Sequence, residues 1–165
     1  MSQDQADFVE FYAGSRDDCL RTVLATVRDV DQAQDLVAEA FARAWASWRR
    51  VSRHPAPRAW VVRTALNLSV SSWRRHRREL PLMDHDAPAC GLASSLVDTE
   101  LAAALQRLPV RQRQVVALRI FLDLDTAHTA EVLGIAPGTV TAHLTRALTA
   151  LRAEFAACES EGNRS

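Results

Sequence analysis

The most concentrated chemistry in the sequence is the run WRRHRR at residues 73–78, where four arginines follow a tryptophan. Guanidinium groups pair with phosphate, and aromatic rings stack on nucleic-acid bases. The simpler alternative is a solvated helix whose late arginines complement the helix dipole, but two cations would be enough for that. Four within five residues beside an aromatic ring favour phosphate. The run therefore predicts a nucleic-acid contact through Trp73, Arg74, Arg75, Arg77 and Arg78.

The distribution of charge supports this prediction, although the formal net charge is zero. Residues 41–79 contain ten arginines and one acid, whereas residues 1–40 contain three arginines and nine acids. A basic band thus lies beside an acidic segment, and such asymmetry is typical of a chain that meets a polyanion with one part only. The chain has no lysine, which codon bias in a GC-rich genome explains, so the choice of arginine by itself indicates no function.

The helix that must position this run begins near Pro57. Apolar residues recur at steps of three and four from Ala59 to Trp73, which predicts one buried face, and the other face carries Arg58, Arg63 and Asn67. Each base stacked on an aromatic ring contributes roughly 1–3 kcal/mol. That is comparable with the cost of unstacking a base step, about a few kcal/mol. A helix of this kind could therefore hold a duplex open by gripping unstacked bases.

Three or four helices are predicted over residues 5–80, and they form a compact bundle. The first covers residues 5–28, with a break expected near Gly14. The second begins at Asp31 as its N-cap and continues through residue 50. Prolines then make residues 51–57 a connector before the basic helix. Cys19 and three tryptophans, at positions 45, 48 and 60, fall in or beside apolar stripes and are expected in the core.

Residues 81–95 are rich in proline, glycine, serine and acids, and they predict a flexible linker. The trio Asp84-His85-Asp86 lacks a fourth ligand, so we expect neither a metal nor a cofactor. Three scattered cysteines suit reduced thiols rather than disulfides. The sequence has no apolar run of membrane-spanning length and no leader pattern, so it predicts a cytoplasmic chain with no membrane contact.

A second helical domain over residues 96–157 ends in a predicted helix-turn-helix. Asp125 can cap its first helix, Gly134 makes the turn, and Pro137 starts a last helix that extends to about Phe155, before a disordered tail after Cys158. In such units the second helix enters the major groove, where its outward residues meet base edges and phosphates. Those residues are Thr139, Thr141, Ala142, His143 and Arg146.

The fold class predicted by these patterns is all-α, with two small helical domains joined by a flexible linker. The sequence contains no HExxH, no glycine-rich phosphate loop, no GxSxG and no paired carboxylates in a plausible pocket. We therefore expect a chain that is not an enzyme.

Together, the segments resemble an extracytoplasmic-function sigma factor of bacterial RNA polymerase. The stretch DVDQAQDLVAEAFARAWASW resembles the family's polymerase-binding helix, and PRAWVVRTALNLSVSSWRRHRRE resembles its promoter-melting helix. LAAALQRLPVRQRQVVALRIF and AEVLGIAPGTVTAHLTRALTALR resemble its C-terminal domain. The resemblance covers residues 5–155 in the family's order, with the linker in the expected place.

The resemblance implies core RNA polymerase and promoter DNA as partners, and an anti-sigma factor as a further one. Residues 5–80 would dock on the clamp helices of the polymerase and open the minus-ten element. Residues 96–157 would read the minus-thirty-five element through Thr141, Ala142, His143 and Arg146, while the linker threads the polymerase channel. The implied polymerase contacts are Asp35, Leu36, Glu39 and Phe41. The implied contacts to the non-template strand are Arg53, His54, Arg63, Asn67, Ser71, Arg74 and Arg75.

The sequence departs from the family pattern at several positions. Ala38 stands where glutamine is common, Thr141 to His143 replace a more cationic triplet, and His128-Thr129 replace Glu-Ile. The lost cations predict weaker upstream binding. Two alternatives therefore stay open: a helix-turn-helix regulator that acts without polymerase, and an interaction protein that binds polymerase or a regulator but not DNA.

Overall fold

The computed structural model describes residues 1–79 and 98–162, whose regular structure is entirely helical, and it confirms the predicted all-α fold class. The N-terminal unit (residues 1–79) contains α1 Gln3–Val27, α2 Val30–Ala46, α3 Trp48–Val51 and α4 Pro57–Glu79. The C-terminal unit (residues 98–162) contains α5 Thr99–Arg107, α6 Val110–Val116, a π-helical turn Ala117–Phe121, α7 Thr126–Leu133 and α8 Pro137–Gly162. The predicted linker and the Asp84-His85-Asp86 trio lie outside the described residues.

Helix α1 runs without the break predicted at Gly14. A capping box starts it: the Ser2 hydroxyl accepts from the Gln5 N–H at 3.3 Å, and the Gln5 side chain accepts from the Ser2 N–H at 2.8 Å. Ser15 is buried, so packing holds the helix where glycine and serine lower its intrinsic propensity. Tertiary contact therefore overrides the local signal for a break.

The second predicted helix is two helices in the structure. Its N-cap is Asp29 rather than Asp31, because the Asp29 carboxylate accepts from the Gln32 N–H at 2.9 Å. The chain leaves helical geometry at Ser47, and the short α3 follows. Trp48, the first residue of α3, is buried in the core.

A cluster of aromatic rings packs in the N-terminal unit where α1 crosses α2. Phe11 contacts Trp48 with ring centroids 5.2 Å apart and Phe41 at 5.8 Å, and Phe8 contacts Trp45 at 5.1 Å. Trp48 is buried as predicted, whereas Trp45 remains exposed at the edge of the cluster. Offset and tilted rings at these distances add to the stability gained from apolar burial alone.

Cys19 is fully buried in the same core, as the sequence predicts. Burial raises the pKa of its thiol to about 12, so the group stays protonated and unreactive at neutral pH.

The C-terminal unit contains the predicted helix-turn-helix. The Asp125 carboxylate accepts from the His128 N–H at 2.7 Å and caps α7, and Gly134 adopts a left-handed φ of 64° between α7 and α8. Ala130 of α7 and Val140 of α8 pack together with Val115 of α6. Helix α8 is longer than predicted, because it continues to Gly162 instead of ending near residue 155. The alanines and glutamates of this last stretch are strong helix formers, which explains why the tail is helical.

The two units share apolar packing. Leu118, Leu122 and Leu124 of the C-terminal unit belong to the same buried cluster as residues of α1 and α4. Valine and leucine at the end of α7 also pack against this cluster. The interface is apolar, like the interior of each unit.

A substitution at Phe41 tests whether the aromatic cluster is part of the core. Replacing the buried Phe41 by alanine should lower the free energy of unfolding by about 3–5 kcal/mol, since it leaves a cavity among aromatic rings. Phe155→Ala is the matched control, because Phe155 is 36% exposed near the end of α8 and should change stability by less than about 1 kcal/mol. Thermal and urea unfolding measure both, and equal losses would contradict the assignment.

Candidate nucleic-acid interface

Helix α4 is fixed to α1 by one arginine of its polar face. Arg58 donates to the Asp18 carboxylate at 3.1 Å and to the Gly14 carbonyl at 3.2 Å. Asp18 also pairs with Arg21. Because Arg58 has a carboxylate partner inside the unit, its charge is already compensated and its role is to anchor the first turn of α4.

An open cleft of about 460 Å³ lies between the end of α2 and the middle of α4. Its volume falls within the range of about 300–1,000 Å³ that small-molecule sites occupy. Arg43, Ala46 and Ser47 line it on the α2 side, and Trp60, Thr64, Asn67, Leu68 and Ser71 line it on the α4 side. The cleft joins an indole ring to several polar groups, which suits a flat, polar aromatic ligand such as a nucleobase.

Two hydroxyl groups that line this cleft already donate their protons to backbone carbonyls. Thr64 Oγ1 donates to the Trp60 carbonyl at 2.8 Å, and Ser71 Oγ donates to the Asn67 carbonyl at 3.1 Å. Their remaining lone pairs can therefore only accept hydrogen bonds. The exposed Asn67 amide offers both donors and an acceptor. Together these groups could read the polar edge of an unstacked base.

Arg43 is the cation of the cleft, and the sequence predictions missed it. Its Nε donates to Glu39 Oε1 at 2.8 Å, one helical turn earlier on α2. The terminal nitrogens have no hydrogen-bond partner among the described residues, so they remain able to meet a phosphate. The pair is about half exposed, and such surface pairs contribute roughly 0–1 kcal/mol.

The connector at residues 52–56 presents two of the predicted strand contacts. Arg53 is exposed, and His54 is half-buried. The His54 Nδ1 accepts from the Ala56 N–H at 3.0 Å, so this ring nitrogen braces the turn and carries no proton. Only Nε2 of His54 is left for a ligand.

The remaining predicted strand contacts follow along α4. Arg63 is exposed, and no ion pair engages it within the described part of the chain. The backbone of residues 72–79 continues the helix. The side chains of Trp73, Arg74, Arg75, Arg77 and Arg78 lie outside the described set.

The four residues predicted to contact polymerase divide into two kinds. Asp35 and Glu39 are exposed on the outward face of α2. Leu36 and Phe41 are 9% and 3% exposed and lie in the core, so they hold α2 in place rather than form a surface. A helix face that buries two of four residues at this spacing is the normal consequence of amphipathic packing.

The second helix of the helix-turn-helix presents its predicted residues unequally. Thr139, Thr141 and Arg146 are exposed, whereas Ala142 and His143 are half-buried. The His143 Nδ1 is buried with no hydrogen-bond partner among the described residues. Direct contacts from the start of α8 would therefore come mainly from two threonines and one arginine.

Spacing along α4 could have revealed part of the cleft. Trp60, Thr64, Asn67 and Ser71 follow each other at steps of four, three and four residues, so they share one line of the helix. Trp60, expected in the core, packs against it as a half-buried residue and also forms a wall of the cleft. No local signal identifies Arg43, because its place beside α4 depends on how α2 crosses that helix.

Comparison with known proteins gives consistent matches to both units. Residues 11–79 match the family model "Sigma-70 region 2", and residues 98–151 match "Sigma-70, region 4". The chain is 34% identical over 152 residues to an RNA polymerase sigma-E factor of Streptomyces antibioticus, covering 90% of this chain and 84% of that protein. It is 31% identical over 140 residues to the ECF RNA polymerase sigma factor SigL of Mycobacterium tuberculosis, covering 80% and 79%.

A solved structure has the same fold. It is the sigma factor RpoE in complex with the anti-sigma factor NepR from Bartonella quintana, with a TM-score of 0.71 at 21% identity, covering 90% of this chain and 96% of that one. Among the helices described, none is long and apolar enough to cross a membrane.

Two arginines of α4 should respond differently to substitution. Arg63→Ala removes an exposed cation, so it should weaken single-stranded DNA binding and reduce the slope of log affinity against log salt by about 0.7. Arg58→Ala should leave that slope unchanged and slightly lower thermal stability, because Arg58 is paired with Asp18. Fluorescence anisotropy titrations at several salt concentrations measure the slopes, and equal slopes for both variants would refute the assignment.

Proposed function

The chain belongs to the extracytoplasmic-function sigma factors of bacterial RNA polymerase, and we propose how its two units divide promoter recognition. The N-terminal unit binds core polymerase through α2 and captures the non-template strand of the minus-ten element along α4. The C-terminal unit places the start of α8 in the major groove of the minus-thirty-five element. The subunit itself catalyses no reaction, and the polymerase synthesises the transcript.

The observation that carries the strand-capture proposal is the cleft beside the basic helix. It brings an indole ring, an amide, two accepting hydroxyls and a guanidinium together, and the arginine-rich end of α4 follows three residues after Ser71. A base extruded from the duplex can stack on Trp60 and hydrogen-bond with Asn67, while phosphates meet Arg43 and Arg63. The free energy gained when a base stacks on the protein offsets the cost of unpairing it from the duplex. Strand capture and duplex opening therefore occur in one step.

Polymerase binding is proposed for the outward face of α2. Asp35 and Glu39 are exposed there beside small side chains, Ala38 and Ala42, which allow another helix to approach closely. The acidic character of residues 1–40 complements a basic partner surface. Asp35 and Glu39 are the proposed contacts, and buried Leu36 and Phe41 support them from within.

Upstream recognition by α8 is proposed to be weak on its own. Among the predicted contacts on α8, one exposed arginine, Arg146, and the hydroxyls of Thr139 and Thr141 provide few phosphate contacts. When core polymerase holds both units on one promoter, the second contact becomes intramolecular and its effective concentration rises. The upstream element then positions the complex, and an anti-sigma partner such as the one named with the solved neighbour would compete for this assembly.

Run-off transcription with purified core polymerase tests the proposal. Core enzyme should start at a defined promoter only when this chain is added. Duplex binding without polymerase would instead support a helix-turn-helix regulator. Binding to polymerase without any initiation would support an interaction protein that has lost DNA binding.

Asn67→Ala should reduce open-complex formation about two- to tenfold, since it removes hydrogen bonds to the captured base. Association with core polymerase should be unchanged. Val70→Ala is the matched control, because Val70 is exposed on α4 but does not line the cleft. Fluorescence of a 2-aminopurine placed in the non-template strand reports opening, and an unaffected Asn67 variant would show that the cleft does not hold a base.

Asp35→Ala combined with Glu39→Ala should weaken association with core polymerase by about five- to tenfold while thermal stability is retained, because both acids are exposed. The control is Arg43→Ala, which breaks the same Glu39–Arg43 ion pair but leaves the acidic face intact. Competition binding to core enzyme measures the difference. Normal association of the double variant would exclude this face.

A further inference from the structure

We propose that α8 selects an A·T base pair in the upstream element, with the methyl group of Thr141 against the 5-methyl group of the thymine and the Thr141 hydroxyl oxygen accepting a hydrogen bond from the paired adenine. The placement of α8 in the major groove rests on the proposed function. The choice of base pair follows from the side chains that the start of this helix presents.

Packing fixes which side of α8 can face DNA. Val140, Ala147 and Leu151 are buried at steps of seven and four residues, so one line of the helix is held in the C-terminal unit. Gly138 and Thr141, in the first turns of the helix, are exposed. A base pair that approaches the start of α8 therefore meets these two residues.

The orientation of the Thr141 hydroxyl decides what a base would contact. Thr141 Oγ1 donates to the Pro137 carbonyl at 3.3 Å, one turn earlier in the helix. Its proton is engaged within α8, so its lone pairs can only accept hydrogen bonds. The methyl group is the other branch at Cβ. Thr141 thus offers a ligand one apolar methyl group and one acceptor, but no donor.

An A·T pair complements both of these groups. In the major groove, thymine presents its 5-methyl group and adenine presents an amino donor at N6. A G·C pair also has an amino donor, on cytosine, but it lacks the methyl group. A phosphate has acceptors only, so it gains little from a hydroxyl whose proton is already donated. The A·T pair is therefore the preferred partner of Thr141.

Small neighbours allow the close approach that a methyl contact needs, about 4 Å between carbon atoms. Ala142 follows Thr141, and Gly138 lies one turn before Ala142 on the same side of the helix. A β-carbon at Gly138 would meet nothing within 4 Å beyond its own stretch of helix. Packing inside the protein does not require glycine there, although glycine lowers helix propensity. The space it leaves is available to DNA.

Thr149 provides a matched control on the same helix. It is exposed, and its Oγ1 donates to the Thr145 carbonyl at 2.9 Å, so its local geometry resembles that of Thr141. It lies eight residues further along, which is about 12 Å at about 1.5 Å per residue. Base contacts come from the N-terminal part of a recognition helix, so Thr149 should not affect base selection.

Promoters that carry 2′-deoxyuridine test the proposal. Core polymerase with this chain first selects transcribed templates from a library randomised over both promoter elements. Each upstream thymine of a selected template is then replaced by 2′-deoxyuridine, which removes the 5-methyl group but keeps the base pairing. At one position this change should lower promoter affinity about three- to fivefold, the effect of losing one buried methyl group.

Thr141→Ser removes the methyl group of the protein and keeps the hydroxyl. This variant should bind the thymine template about three- to fivefold more weakly than the natural chain does, and uridine should then cause no further loss. Thr149→Ser should keep the affinity and the uridine sensitivity of the natural chain. Gly138→Ala should retain thermal stability, because alanine favours a helix, yet bind the promoter severalfold more weakly.

Three results would overturn the proposal: selected templates without a common upstream thymine, uridine without effect at every upstream position, or a Thr141→Ser variant as sensitive to uridine as the natural chain. Normal promoter affinity of Gly138→Ala would overturn the close approach of α8. In each case transcription from the selected templates would leave the sigma activity intact. A library that yields no transcript would instead refute the proposed function, and the base preference with it.

Discussion

The structure depends on the burial of the second half of α1. This segment packs against α2 and α4 on one side and against the C-terminal unit on the other. Asp18, on the same helix, anchors the start of α4 through Arg58. Helix α1 thus contacts both of the helices that line the cleft. Its walls are supported by helices rather than by loops, which keeps the polar groups in fixed positions.

Charge is separated along the chain in a way that suits two partners of opposite sign. Residues 1–40 are acidic and present Asp35 and Glu39, and residues 41–79 are strongly basic and present Arg43 and Arg63. A zero net charge is thus compatible with nucleic-acid binding, because each partner meets only one region. The ion pair between Glu39 and Arg43 lies at the border of the two regions. Polymerase on one side of α2 and DNA on the other would each compete for one of its members.

The sequence predicted the fold class and the helix-turn-helix because these depend on local chemistry. Proline at residue 137, glycine at 134 and aspartate at 125 act through their own backbone or the next turn, and the structure has them as predicted. The cleft was found only in part. Asn67 and Ser71 stood out on α4, whereas Arg43 lies more than twenty residues away and reaches the cleft only through the α2–α4 crossing. Dependence on distant contacts also explains why the break predicted at Gly14 does not occur, since long-range packing of α1 overrode a strong local signal. It likewise explains why the burial of Leu122 could not be predicted, since that burial requires the other unit.

The central claim is that this chain enables polymerase to open DNA by capturing an unstacked strand, and permanganate footprinting of a promoter tests it most directly. Unstacked thymines react with permanganate, whereas stacked thymines in a duplex do not. Non-template thymines of the minus-ten element should become reactive only when core polymerase and this chain are both present. A promoter that both proteins occupy but whose thymines stay unreactive would contradict the account.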